Sequence, residues 1–465
     1  MRIDVLPDDI LLETFDFYVW NPSYEDEPEI EAWKTLVHVC RRWRILVFES
    51  PRHLNLRLFC TPETRVKDRL DVWPAFPLIV WGIMTSQSGI DNVIAALRQC
   101  NRVREVSFCH LAGWQLEKIM AAMQVSLPNL VRLCLHSEDE TLPDIPDSFL
   151  GGSAPRLQIL QLNSILFPGL PKLLLFTTQL HDLHLFDIPH SMCIPPKAMV
   201  DLLSSLPNLT VLSLEFRSPR SRPGWESRSL LPPKRSLLPA LSYFCFKGVT
   251  EYLDELVTRI DTPQLSHTYI TFFNQIDFDY PRLAQYISRA PKLREVDEAY
   301  VEFNDSAASV NHQSPTSGAT IEISCREPDW QLSSIEQVCN HSSPLLTIED
   351  LYIKHQYSQL VWKDDAILNT LWSQLLIPFT MVKNLYLSKE FAPGAAAALQ
   401  ELVGSRSTEV LPSLQNIFVE TLEPSGPFQE YIGRFVAARQ LRLSNQPIAI
   451  SVWDKDSDKP DLESR

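Results

Sequence analysis

One pattern recurs along this chain and limits its possible folds more than any other feature: Pro-x-Leu-x-x-Leu-x-Leu, with substitutions. Clear copies stand at 127–135 (Leu-Pro-Asn-Leu-Val-Arg-Leu-Cys-Leu), 155–162, 206–214 and 238–246. Weaker ones begin near Val103, Leu180, Pro263, Pro291, Ile348, Val382 and Leu411, and Ala438 to Leu443 reads as the last. From Leu130 onward, equivalent positions lie 27, 23, 29, 32, 24 and 28 residues apart. A gap of 55 follows, with room for a degenerate copy around Ile321 and Ile323. Apolar residues at alternate positions suit a strand with one buried face, and these spacings leave space for a segment that returns to start the next. Helical periodicity over 91–99, 116–123, 197–206, 250–260, 280–288 and 392–403 supplies such returns. One unit alone cannot bury its apolar face. A stack can, with each leucine contributing about 1.5–3 kcal/mol. The fold class is therefore α/β.

Motif and spacing together are similar to leucine-rich repeats, although the usual Asn after the strand is mostly missing. The resemblance implies an irregular leucine-rich-repeat solenoid over 101–445, a curved parallel sheet with returning helices. A set of αβ units in an ordinary α/β domain is the alternative. In the solenoid, partners would dock on the concave strand face. The outward residues expected to bind a target include Arg132, His136, Gln161, His184, Phe186, Tyr243 and Tyr269. Their mixture of charge, polarity and aromatic rings suits a protein or peptide better than a phosphate backbone. His181, Asp182 and His184 invite a metal reading, but a strand would turn His181 away from the other two. Two stretches read as loops that break the array, Arg217 to Ser236, rich in arginine and serine, and Asn304 to Thr320. The first is read as an insertion or as a contact for nucleic acid or an acidic partner.

The first fifty residues carry a different signal. Leu6-Pro7-Asp8-Asp9-Ile10-Leu11 opens an apolar helical run to Val19, with Leu11, Phe15 and Tyr18 on one stripe. Pro7 suits a helix start, and Asp8 and Asp9 favour the positive end of the helix dipole. A second helix is expected from about Ile30 to Phe48, stopped by Ser50-Pro51. These helices either cap the next domain or form a docking module. The Leu-Pro start, the Ile-Leu pair and Val39-Cys40-Arg41-Arg42-Trp43-Arg44 resemble an F-box, the helical module that joins a protein to the Skp adaptor of SCF-type ubiquitin ligases. That resemblance implies adaptor contacts at Leu6, Pro7, Ile10, Leu11, Val39 and Cys40, with Trp43 in the module's own core. The acidic stretch from Trp20 to Glu31 is longer than the family's compact pattern. Ser50-Pro51-Arg52 through Leu70-Asp71-Val72-Trp73-Pro74 resembles the segment that follows the box in fungal F-box families. The expected order is thus an F-box (1–50), irregular first repeats (51–100), the repeat array (101–445) and a polar tail (446–465).

Composition narrows the function classes. Only 13 glycines occur in 465 residues, which lowers the prospect of phosphate-cradling loops, and the net charge of −15 disfavours nucleic acid. Nine dispersed cysteines fit a reducing compartment, the cytosol or nucleus. No apolar run reaches the roughly 20 residues of a membrane span. No CxxC, HExxH, GxSxG, Walker or GxGxxG motif is present, so no cofactor is expected. The sequence therefore reads as a non-enzymatic substrate-recognition subunit of an SCF-type E3 ligase, with a Skp adaptor, cullin through it, and a protein target as partners. The alternatives are a non-ligase interaction scaffold of the same build and a hydrolase on an α/β fold.

Overall fold

A computed structural model describes residues 6–19, 32–63, 65–83, 87–138, 145–146, 148–165, 168–189, 194–219, 235–273, 280–294, 296–341, 345, 347–355, 366–389, 391–401, 410–420, 427–440 and 448–453. The chain divides into two compact units, Met1–Met192 and Cys193–Arg465.

The first unit opens with three helices: α1 (Asp8–Val19), α2 (Trp33–Val39) and α3 (Arg41–Glu49). The single second helix expected from sequence is two. Cys40 breaks it, with extended backbone (φ −157°, ψ 170°), and its Sγ accepts from the Trp43 amide to cap α3. Trp33 (2% exposed) is buried, with its ring 5.0 Å from Trp73, 5.5 Å from Phe76 and 6.4 Å from Phe48. This aromatic cluster seats the helices on the segment that follows them.

Six strands then stack in sequence order: β1 (Leu58–Cys60), β2 (Leu78–Ile83), β3 (Val103–Leu111), β4 (Arg132–Ser137), β5 (Ile159–Asn163) and β6 (Asp182–Ile188). Every pairing between them is parallel. Helices α4 (Val66–Val72), α5 (Gln87–Leu97), α6 (Gly113–Ala122) and α7 (Leu170–Leu174) fall between strands. The alternation has the expected physical outcome. Leu133, Leu135, Leu160, Leu162, Leu183 and Leu185 are buried, while the residues between them are partly exposed.

In the second unit the order is β7 (Val211–Phe216), β9 (Tyr243–Gly248), β11 (His267–Phe272), β14 (Ser317–Ser324), β13 (Ala307–Ser314), β12 (Glu298–Phe303), β15 (Asp350–His355), β16 (Asn384–Leu387), β17 (Asn416–Val419) and β18 (Ala449–Val452). Short strands β8 (Ser236–Leu237) and β10 (Ile260–Asp261) pair separately. Helices α8 (Pro196–Leu203), α9 (Thr250–Arg259), α10 (Tyr280–Arg289), α11 (Pro328–His341), α12 (Ala366–Leu376), α13 (Ala392–Glu401) and α14 (Pro427–Gln440) intervene.

Two sequence expectations are corrected here. Asn304 to Thr320 does not loop out. It forms the hairpin of β13 and β14, in which β13 alone runs antiparallel, to β12 on one side and β14 on the other, while β14 pairs parallel with β11. Ile321 and Ile323 do form a strand, and both are buried. The final copy is also displaced. Residues 438–440 end α14, 441–443 lie outside the described residues, and β18 beyond them pairs with β17 inside the expected tail. The acidic stretch 20–31, residues 220–234 of the arginine-rich segment and residues 454–465 also lie outside the described residues. Among the described residues no helix is long and apolar enough to cross a membrane.

Candidate functional site

Two surfaces collect the candidate residues. The first is on α1–α3. Leu11 and Phe15 turn inward, each 1% exposed, with the Phe15 ring 4.6 Å from Trp43. Trp43, half-buried, thus packs against α1. The opposite stripe of α1 stays open: Ile10 is 47% exposed and Phe17 81%. Tyr18, expected on the inward stripe, is 52% exposed. At the break between α2 and α3, Val39 and Cys40 are both exposed. Arg42 ties the two places together. Its Nη2 donates to the Leu6 carbonyl and to Asp8 Oδ1, each at 2.6 Å. Leu6 and Pro7 at the start of α1 therefore lie beside the start of α3. Of the six candidate contacts, Pro7, Ile10, Val39 and Cys40 are exposed, Leu6 is half-buried and Leu11 is in the core.

The second surface is the side of each sheet that the buried leucines leave open. In the first unit, register rows place Arg132 beside Ile159 and two strands from Asp182, Gln161 beside His184, and His136 two strands from Phe186. Burial lowers the His184 pKa, and Asp182 partly opposes that. The rings of His184 and Phe186 stack at 5.6 Å. A bulge in β3 sets Cys109 and His110 opposite His136 alone. His110 adopts φ +58°, and its ring bonds Glu138 and lies 5.2 Å from that of His136. His181 precedes β6, whereas Asp182 and His184 share its open side. Among the described residues no group of three His, Cys, Asp or Glu is arranged to hold a metal ion.

In the second unit, Tyr243 is exposed at the first position of β9, and Tyr269 stands half-buried on β11. The Tyr269 hydroxyl donates to Glu322 Oε2 at 2.7 Å, and burial, with that carboxylate second, raises its pKa. Cys245, in the same row, is pushed up to about 12 by burial and by Glu215. Sequence reasoning missed the aromatic column beyond the hairpin. In-register pairing stacks Tyr300, Tyr352, Tyr386 and Phe418 at 4.6, 4.2 and 4.6 Å, with planes within 13°. Trp453 closes on Tyr352 and Tyr386 at 5.9 and 5.5 Å. The signal was legible: each strand carries its aromatic between two apolar residues, as in Leu351-Tyr352-Ile353 and Leu385-Tyr386-Leu387.

Comparison of the chain with protein-family models gives no match, and comparison with the curated proteins gives none either.

Proposed function

We propose that the chain is a substrate-recognition subunit of an SCF-type ubiquitin ligase. In this reading α1–α3 are an F-box that binds the Skp adaptor, and the strand ladder is a leucine-rich-repeat solenoid that holds a protein target. The adaptor brings cullin, and ubiquitin transfer proceeds by proximity, with no catalytic residue in this chain. The cytoplasm and nucleus are the compartments in which such a complex works.

The observation that carries this reading is the pairing of motif with exposure on α1–α3. Pro7, Ile10, Val39 and Cys40 belong to the run that resembles an F-box, and all four are open to a partner, while Phe15 is buried against half-buried Trp43. Ile10, Phe17 and Val39 each present an exposed apolar side chain, of the kind that a protein partner covers. The parallel ladder, one helix or turn per strand, supports the second half of the reading.

Co-purification with a Skp adaptor tests the proposal. The intact chain should form a stoichiometric complex, and Leu6→Ala/Pro7→Ala or Ile10→Asp should weaken it at least tenfold. A folded wild-type chain that captures no adaptor, or capture undiminished by these substitutions, overturns the reading.

A further inference from the structure

Tyr352, Tyr386 and Phe418 stand on the open side of β15, β16 and β17, and yet all three rings are buried. The polar residues two positions earlier, Asp350, Asn384 and Asn416, are partly exposed and hydrogen-bonded in a chain at 2.6 and 2.7 Å. An aromatic centre beside a polar, wetter border is the anatomy of a protein-binding patch. Here the patch is already filled. Phe418 has Ser451 of β18 as its register partner, and Trp453, two residues on, shares that side. Its indole leans back across the sheet to Tyr386, two strands away, and to Tyr352, three strands away. There it is itself buried, with the Lys354 ammonium 5.5 Å from its ring centre.

The strand that delivers this indole has few other attachments. On the inward side, Ile417 and Val419 of β17 are fully buried, whereas their register partners Ile450 and Val452 are 41% and 59% exposed. β18 therefore forgoes the apolar burial that fixes the strands before it. Among the described residues it also pairs on one edge alone, with β17. Four ladder positions and one buried indole hold it. A segment of this kind opens locally at much lower free energy than the strands it covers.

We propose that β18 and Trp453 form a releasable strap. It occupies, within the chain, a docking patch whose partner is an extended peptide that adds to the β17 edge and anchors through a tryptophan on Tyr352 and Tyr386. Strand addition supplies backbone hydrogen bonds, and the anchor supplies selectivity. The strap regulates the patch by competing with that partner. The proposal deepens the reading of the ladder as a partner-binding surface, and rests on it.

The probe is a fluorescein-labelled peptide of residues 446–456, titrated with the intact chain and followed by anisotropy. In the wild type the tethered strap competes at high effective concentration. The peptide should therefore bind Trp453→Ala at least tenfold more tightly than wild type. A peptide with alanine in place of tryptophan should lose at least tenfold in affinity for that variant, as should the original peptide for Tyr352→Ser/Trp453→Ala. Amide exchange of the wild type supplies a measurement that needs no variant. The Ala449 and Trp453 amides, bonded to the Gln415 and Val419 carbonyls, should exchange about a hundredfold faster than the ladder amides of β16 and β17. A permanent end cap predicts otherwise. The proposal is overturned by absent peptide binding to a cooperatively melting Trp453→Ala, by an affinity indifferent to the peptide's tryptophan, or by exchange of β18 at the rate of β17. If Trp453→Ala fails to fold, the exchange comparison decides. Adaptor capture on the same preparations separates the two proposals: its absence with peptide exchange intact sinks only the receptor reading.

Discussion

At the scale of single residues, neighbours in sequence have opposite roles. Leu11 is sealed in the helical core and Ile10, one position earlier, faces solvent. Leu11→Ala should cost about 2–5 kcal/mol of stability, as buried leucine truncations do. Ile10→Asp should leave the melting temperature nearly unchanged and still abolish adaptor capture. Thermal melts and capture on both variants check this; matched losses in both assays would mean that Ile10 is structural too. His312 offers a second test. It is 2% exposed on β13, its cross-strand partners are Ala299 and Ala319, and among the described residues Nε2 has no hydrogen-bond partner. Burial holds its pKa down at about 4. Above pH 6.5 the ring is neutral folded and unfolded and has no effect on pH dependence. Between 6.5 and 4 the unfolded chain takes a proton that the folded one refuses. Stability therefore falls across that window, by about 3 kcal/mol in total, and levels off below it. Chemical denaturation at pH 7.5 and 4.5 should show a smaller fall in His312→Leu than in the wild type; parallel falls would exclude this account.

At the scale of elements, the sequence was most legible where period and packing agree. The strands at 132–137, 159–163, 182–188 and 243–248 follow the leucine alternation, and α6, α8, α9, α10 and α13 begin within about three residues of the expected starts. It was least legible where one residue overrides a pattern. The helical periodicity through Val39 and Cys40 is continuous, so nothing in it announces that Cys40 turns to extended backbone and caps a new helix. The hairpin was hidden for a related reason. Its serines, asparagine and glycine read as loop composition, yet β13 and β14 gain their order from neighbours on both sides rather than from their own propensity. The turn that leads from β12 into β13 has a local cause: Asn304 Oδ1 accepts from the Ser306 and Ala307 amides at 2.9 and 2.8 Å and from the Ser306 hydroxyl at 3.0 Å. Asn304→Ala removes three acceptor contacts at once and should cost about 1–2 kcal/mol. Hydrogen exchange should quicken first in β12 and β13. The candidate surface followed the same divide: the place of Tyr269 on a strand follows from the alternation, whereas the strand beside it, β14, belongs to the hairpin.

At the scale of the molecule, each described strand bonds only to its immediate neighbours, so stability should be carried locally along each ladder rather than by one central core. In the second unit β16 is a sensitive place to test this. Leu385 and Leu387 are fully buried on one side, and Tyr386 sits inside the aromatic column on the other. Stacked rings add about 0.5–1.5 kcal/mol per pair beyond their burial. Leu385→Ala opens a cavity that this short strand has little surface to absorb, with an expected cost of about 2–5 kcal/mol. Nearest-neighbour behaviour predicts where that loss appears. Amide exchange measured by mass spectrometry should accelerate most in β15, β16 and β17, less in β12, and least in β7 and β9. A uniform loss of protection from β7 to β17 would instead mean that the unit opens as a single cooperative block. Tyr386→Leu keeps the apolar volume but breaks the column, so its effect should spread toward Tyr300 on β12. A local ladder joined by stacked rings therefore predicts two different exchange footprints from adjacent positions on one strand.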